Sequence, residues 1–385
     1  MQKSMLKAVL FRVVLALILI ISLEAIGYIG IRLHSRSFDF LSNKSYSHIR
    51  AMLMGNTDPK MSPRYLSLPH LGYVPYPGYQ KYGVEQHNED GYRGHRVPRE
   101  NDGKYRVLCM GGSTTYGFGV DSPWKTYPAR LEKLLSDYIS HDSLLSRKYS
   151  GAEVINAGID GGTSAEELQQ YLFKYRYYHA DAVVIHSGIN DAILTSGSPP
   201  YFQLDYTDTR RINFHLQPLA QPSRSLMRSY FLSFMIIRLF YDDFAQNGGR
   251  DEFMHNGTQK FILWSHINLD SVIARKHFEY YPFYKNSKSL YAEILADSSI
   301  LIILPNFLNA NSDFVKASTR YSSYCALNLS LSKTLSEEYK AMYIPLGFED
   351  MCDSSYWVGD DCHVTAKGER MKANAIFSQI EERIK

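Results

Sequence analysis

From Lys104 onward the chain alternates short apolar runs with amphipathic stretches. That alternation restricts its possible folds more than any other feature. Tyr105 to Met110 (YRVLCM) is a short apolar run closed by Gly-Gly, which predicts a buried strand. Leu131, Leu134, Leu135 and Tyr138 then recur at helical spacing over Tyr127 to Tyr138. Ala152 to Ala157 reads as a second strand. Ser164 to Tyr178 reads as a second helix, opened by Thr163 or Ser164 with Glu166 and Glu167 in its first turn. Ala182 to His186, Ser299 to Leu304 and Ala341 to Leu346 read as three further strands. Helices are predicted over Ser312 to Lys340 and Thr365 to Ile384, the last with Ala373, Ile376, Phe377 and Ile380 on one side. Strands alternating with helices imply a parallel sheet covered on both faces. Functional groups in such sheets gather at the carboxyl ends of the strands.

Two regions stand outside the alternation. Val13 to Ile31 (VVLALILIISLEAIGYIGI) is almost wholly apolar, and a helix of that length nearly crosses a hydrocarbon core. Lys3, Lys7 and Arg12 precede it and no small-x-small cleavage site follows, so it reads as an uncleaved anchor rather than a signal peptide. Glu24 inside it is costly in lipid. The simpler reading lets it snorkel from the outer third of the helix; the sharper one gives it a partner helix. Basic residues lie on both sides of the segment, so charge alone does not orient it. The second region is 195–298, an aromatic-rich insertion with one strongly apolar stretch, Tyr230 to Phe244. That stretch reads as a helix packed on the main domain, with a membrane-surface helix as the alternative. The chain thus divides into an anchor (1–33), a stem and N-terminal extension (34–103) and a main domain (104–385).

With 42 basic and 39 acidic residues the net charge is only +3, which gives no footprint for nucleic acid. Cys109 reads as a small core hydrophobe. Cys352 and Cys362 flank a short loop and either bridge in an oxidising compartment or stay free. No C-x-x-C, His-Glu-x-x-His, P-loop or Gly-x-Ser-x-Gly motif occurs, so no metal or cofactor is expected and a nucleophile elbow of the α/β-hydrolase type is disfavoured.

Four segments carry the chemistry, each at or near a predicted strand end. Gly111-Gly112-Ser113-Thr114-Thr115 places a serine on a tight strand-to-helix turn. Asn156-Ala157-Gly158-Ile159-Asp160-Gly161-Gly162 offers backbone N–H groups at a helix start, with Gly158 and Gly161 the candidates. Gly188-Ile189-Asn190-Asp191 offers an amide with two donors. Asp360-Asp361-Cys362-His363 supplies an acid–base pair from one loop. Any one of these is equally at home in an ordinary turn. Together, and in this order, they supply a nucleophile, an oxyanion hole and a base.

On these segments the chain resembles the SGNH, or GDSL-like, hydrolase family, over roughly residues 105–385 less the insertion. The subgroup it looks like reads Gly-Gly-Ser where the naming motif has Gly-Asp-Ser, so Gly112 stands in place of that aspartate. Asn88-Glu89-Asp90-Gly91-Tyr92-Arg93 also looks like the subgroup's lead-in segment. The resemblance implies a three-layer α/β/α fold with a flavodoxin-like, parallel five-stranded sheet. It implies a triad of Ser113, Asp360 and His363, and an oxyanion hole of Ser113, Gly161 and Asn190. The family's Asp-x-x-His spacing selects Asp360 over Asp361, and its second block selects Gly161 over Gly158. The expected activity is ester hydrolysis on a glycan or lipid through an acyl-enzyme. An O-acyltransferase and a non-catalytic glycan-binding protein are the alternatives.

Overall fold

The computed structural model describes residues 2–37, 65–68, 71–81, 84–197, 201–202, 229–232, 234–235 and 267–384. It divides into two compact units, Met1–Pro63 with Arg211–Trp264, and Arg64–Arg210 with Ser265–Lys385.

In the first unit, helix α1 spans Gln2–Ser37. Its stretch Val9–Gly30 has 22 residues and a mean hydropathy of 2.6, long and apolar enough to cross a membrane. Glu24 does not merely snorkel. Its carboxylate accepts hydrogen bonds from the Ser229 hydroxyl and from the Tyr230 backbone N–H at 2.7 Å. A carboxylate at the start of a helical segment satisfies donors that have no intrahelical partner. Gly27 and Gly30 form the notch beside it. A Cβ on Gly27 would lie 2.4 Å from Phe231 Cα, and one on Gly30 2.5 Å from the Phe234 ring. Tyr28 and Tyr230 meet edge to face at 5.2 Å. The apolar stretch read at Tyr230 to Phe244 therefore meets α1 through its described residues. Residues 236–244, and the stem over 38–64, lie outside the described residues.

The second unit is built on five parallel strands: β1 Tyr105–Gly111, β2 Ala152–Gly158, β3 Ala182–His186, β4 Ile300–Ile303 and β5 Met342–Tyr343. Their order is β2-β1-β3-β4-β5, the flavodoxin-like order. The flanking helices are α2 Ser113–Tyr116, α3 Tyr127–His141, α4 Ser164–Phe173, α5 Ile189–Gly197, α6 Pro282–Ala296, α7 Thr319–Glu338 and α8 Ala366–Glu381. Period-two alternation sorts the strand side chains. Val107, Cys109, Val154, Val184 and Ile302 pack under Leu131 and Leu135 of α3 and Ile376 and Ile380 of α8. Leu108, Met110, Ile155, Val183, Ile185 and Ile303 pack under Tyr171 of α4, Leu290 and Ile294 of α6 and Leu335 of α7. Burying each large aliphatic side chain contributes about 1.5–3 kcal/mol, so both layers hold the sheet from its two faces.

Several predicted boundaries shift for local reasons. The helix predicted over Ser312 to Lys340 is two helices, Asp313–Ala317 and α7, separated at Ser318, whose φ of −113° and ψ of 78° are not helical. The helix predicted over Ser164 to Tyr178 ends at Phe173 and continues as a 3-10 turn over Tyr175–Tyr178. Inside the 195–298 stretch, Tyr201–Phe202 pairs antiparallel with Ile267–Asn268, and α6 packs on the sheet as an ordinary crossover helix. One buried ion pair also lies within the run read as apolar. Arg106, fully buried on β1, meets Glu153 of β2 at 2.8 Å.

Candidate active site

The strand order reverses between β1 and β3, and in open parallel sheets the crevice at such a switch point is where ligands bind. All four candidate segments reach this end of the sheet. Ser113 opens α2 directly after β1. Gly161 follows β2 in a turn closed by Gly162 N–H to Ile159 O at 2.8 Å, and its φ of 73° favours glycine. Asn190 lies in the first turn of α5. Asp360 and His363 sit in a loop pinched by the antiparallel bridge between Trp357 and Val364.

The loop brings the acid–base pair to the serine. His363 Nε2 lies 2.7 Å from Ser113 Oγ, and His363 Nδ1 lies 2.6 Å from Asp360 Oδ2. Asp360 Oδ1 accepts the backbone N–H groups of Cys362 at 3.2 Å and His363 at 2.8 Å. Burial works against the charged form of Asp360. The His363 ring and these two N–H groups outweigh it and hold the carboxyl below its usual range. Asp361 turns away and accepts from the Tyr321 hydroxyl at 2.5 Å. Asn309 braces the loop from outside, donating its N–H to Asp361 O at 2.8 Å and its amide to Asp360 O at 3.0 Å. Phe118 packs on the imidazole at 4.8 Å.

The Gly158 N–H is committed to Asn156 Oδ1 at 3.1 Å. A Cβ at Gly158 would lie 2.2 Å from Tyr116 N, so glycine there lets α2 approach β2. Asn190 Nδ2 donates to Gly162 O at 2.8 Å, which fixes its amide beside the serine turn. Gly112 is small for the same reason: a Cβ there would sit 2.4 Å from Asn190 Nδ2. The neighbouring Asp191 is structural in its contacts. It accepts Ser164 Oγ at 2.5 Å and Ser164 N–H at 3.1 Å, tying α5 to the start of α4.

Cysteines and metal ligands take a defined place. The four cysteines are free thiols, so the bridge considered between Cys352 and Cys362 is not formed. Cys362 is buried with its sulfur 3.8 Å from His363 Nδ1. Burial pushes its thiol well above the usual range, with Asp361 and Asp360 adding to the rise. Asp360, Cys362 and His363 present ligand atoms within 4.8 Å of one another. Both imidazole nitrogens are already engaged, Nδ1 with Asp360 and Nε2 with Ser113, which is the geometry of a proton relay.

Sequence reasoning passed over several residues here. Lys372 of α8 is buried and donates to Thr114 O at 3.1 Å and to Glu369 at 3.4 Å, while Glu369 accepts the Tyr127 N–H at 2.6 Å. Glu167 of α4 is buried and accepts the Ser187 hydroxyl. Burial raises its carboxyl to about 8, opposed by Ser187 and reinforced by Asp191 and Glu166. A cavity of about 450 Å³ opens at the ends of β3, β4 and β5, lined among others by Gly188, Asn306, Phe307 and Leu346. Asn306 also accepts from Thr114 Oγ1 at 3.3 Å, which joins that wall to the serine turn.

A flavodoxin-like parallel sheet with Ser113, His363 and Asp360 hydrogen-bonded in a row at its switch point, matched by an acylhydrolase family model, is a serine hydrolase acting on ester bonds. The chain belongs to the GDSL-like lipase/acylhydrolase family, whose model matches residues 109–371. No curated protein matches it. Among solved structures it is similar to an acetylxylan esterase from Geobacillus stearothermophilus, at 15% identity over 72% of this chain and 94% of that one, TM-score 0.40. It is also similar to an α/β hydrolase from the metagenome of Lake Arreo, Spain, at 12% identity over 71% and 94% of the two chains, TM-score 0.40. A third is a putative lipolytic protein of the G-D-S-L family from Desulfitobacterium hafniense, at 11% identity over 71% and 99%, TM-score 0.38. Likenesses this distant lend nothing to the choice of substrate.

Proposed function

We propose that the protein is a membrane-anchored serine esterase that cleaves an acyl ester on a glycan or lipid. Ser113 is its nucleophile, His363 its base, and Asp360 the group that orients the base. The observation that carries this reading is the continuous relay from Ser113 Oγ through His363 to Asp360, at 2.7 and 2.6 Å. His363 Nε2 takes the serine proton as Oγ attacks the ester carbonyl. The Ser113 N–H, the Gly161 N–H and the second Asn190 N–H hold the negative charge that forms on oxygen. His363 then protonates the leaving alcohol, and water attacks the acyl-enzyme by the same relay run again. A sugar hydroxyl entering in place of water would give an O-acyltransferase with the same residues in the same roles.

The anchor reading rests on α1. A helix of membrane-spanning length whose only internal carboxylate is met by Ser229 and Tyr230 of the same chain is suited to being kept rather than removed. We place the short basic N-terminal tail inside and the catalytic unit outside the cytoplasm.

The test is hydrolysis of p-nitrophenyl acetate by the full chain in detergent, with Ser113→Ala and His363→Ala alongside. Loss of about 10³-fold or more in kcat is expected for each. A fluorophosphonate probe should label Ser113 and leave Ser113→Ala unlabelled. Equal turnover by wild type and both variants would overturn the reading.

A further inference from the structure

The family match begins at residue 109, yet the segment ahead of it contacts the far end of the turn that carries Ser113. We propose that Arg93 is a positioning residue for Ser113, acting through the backbone of the serine turn. It is held in place by a brace, Gln86–Arg93, that lies outside the matched domain. The proposal rests on Ser113 being the nucleophile.

The serine turn is only four residues long, Ser113–Tyr116, and cannot fix itself. Its bonds close onto Gly112 O, which accepts from Thr115 N–H at 3.1 Å and Tyr116 N–H at 3.0 Å, and onto Ser113 O, which accepts from Gly117 N–H and Phe118 N–H, each at 3.0 Å. Arg93 adds its donors further along, to Tyr116 O, which also accepts from Asn156 Nδ2 at 3.4 Å, and to Gly117 O, which also accepts from Val120 N–H at 3.2 Å. Its Nη1 donates to Tyr116 O at 2.9 Å and Gly117 O at 2.7 Å, and its Nη2 donates to Val120 O at 2.9 Å. The guanidinium also lies 4.4 Å over the Tyr116 ring. The Tyr116 hydroxyl meets His87 Nε2 at 2.9 Å. Tyr116 is therefore fixed at its carbonyl, its ring face and its hydroxyl by residues from one upstream segment.

That segment is itself rigid. Gln86 Oε1 accepts Arg93 Nη2 at 3.0 Å, and Gln86 Nε2 donates to Asp121 O at 3.3 Å. Asn88 accepts the N–H groups of Asp90 at 3.0 Å and Tyr92 at 3.3 Å, and donates to His95 O at 2.9 Å. Arg93 N–H bonds to Asn156 O at 3.3 Å, docking the brace on β2 beside the oxyanion turn. Gln86, His87, Asn88 and Arg93 are all buried. From the other side Lys372 holds the Thr114 carbonyl. A planar fork with several donors suits this task, because it can hold two successive carbonyls in one orientation, which a lysine ammonium cannot do as rigidly.

A brace of this kind affects the reactive geometry more than substrate binding. Displacement of a reacting group by about 1 Å costs on the order of 10²-fold in rate. The experiment compares Arg93→Ala, Arg93→Lys and Tyr116→Phe with wild type in the full chain. Fluorophosphonate labelling counts competent sites, p-nitrophenyl acetate gives kcat and KM, and thermal melting reports stability. Arg93→Ala should lose about 10–100-fold in kcat per labelled site with KM within about twofold. Arg93→Lys should recover part of that loss, and Tyr116→Phe should lose several-fold. Should Arg93→Ala fail to fold, the other two variants decide. Wild-type kcat per site in Arg93→Lys and Tyr116→Phe, with only a lower melting temperature, would overturn the proposal. Should Ser113→Ala instead keep full activity, the nucleophile assignment itself fails, whatever the Arg93 variants do.

Discussion

At the scale of single residues, Gly112 shows how little slack the serine turn has. Its missing side chain makes room for the amide of Asn190, 2.4 Å from where a Cβ would stand. Gly112→Ala must move that amide or the turn. The expected loss is about 10²-fold in kcat/KM, the usual scale for a displaced oxyanion donor, with the fold retained by circular dichroism; wild-type turnover would show that Asn190 takes no part. Glu167 has a different signature. Its carboxyl titrates near 8 in the folded chain against an ordinary value of 4.5. Between those values the unfolded chain has lost the proton and the folded chain has kept it. The unfolded state then binds fewer protons, so stability falls as pH rises through this window. Glu167→Gln removes this pH dependence. Calorimetry from pH 5 to 8 should show the variant gaining on wild type as pH rises; parallel curves would mean Glu167 is ionised in the fold. The gap between sequence and structure is plain at this scale. Ser113, Asn190, Asp360 and His363 could be picked out because their residue types and spacing carry chemistry. Lys372 and Glu167 could not, and Arg93 stood out only as part of the lead-in segment with no role attached, because each acts by meeting a backbone carbonyl or a hydroxyl far away in sequence.

At the scale of elements, the buried strands were the readable part. Ala182–His186 is apolar enough that its ends follow from the sequence, and it is observed with those ends. Edge strand β5 shrinks to two residues because only β4 pairs with it. Helix α6 was missed although Phe283, Ser287, Leu290, Tyr291 and Ile294 lie buried along one side of it. Its serine and tyrosines blunt the apolar period, and the aromatic-rich stretch around it hides its start. The pairing of α1 with residues 229–232 and 234–235 was also beyond local reading, since it joins segments about two hundred positions apart. It is open to a direct check. Cysteines at Glu24 and Ser229, whose side chains meet, should cross-link with a short bismaleimide in membranes carrying the full chain. The linked peptides would be read by mass spectrometry. A control pair at Leu15 and Ser229 should not, because nine residues along a helix separate Leu15 from Glu24 by roughly 13 Å. Equal yields from both pairs would remove the contact.

At the scale of the whole molecule, the pattern of strands and helices implied a covered parallel sheet, while the order of its strands came from the family resemblance, whose flavodoxin-like sheet is the one observed. That order, with its reversal between β1 and β3, is what turns four separated segments into one site. Under the proposed anchor reading, the side of the membrane that the site faces decides which substrates it can meet. Charge on either side of α1 leaves this undecided, but the thiols offer a reporter. Cys109 and Cys362 are buried, Cys325 is half-buried and Cys352 is exposed. Cys352 also lies in the catalytic unit rather than in the one that contains α1. A membrane-impermeant maleimide applied to intact cells expressing the full chain should therefore label Cys352 when the catalytic unit is outside. The Cys352→Ser variant should lose most of the signal, and permeabilised cells set the maximum. Labelling that appears only after permeabilisation would place the catalytic unit in the cytoplasm and exclude esters outside the membrane as its substrates. It would leave the relay of Ser113, His363 and Asp360 untouched, since no part of that geometry depends on which side of the membrane it faces.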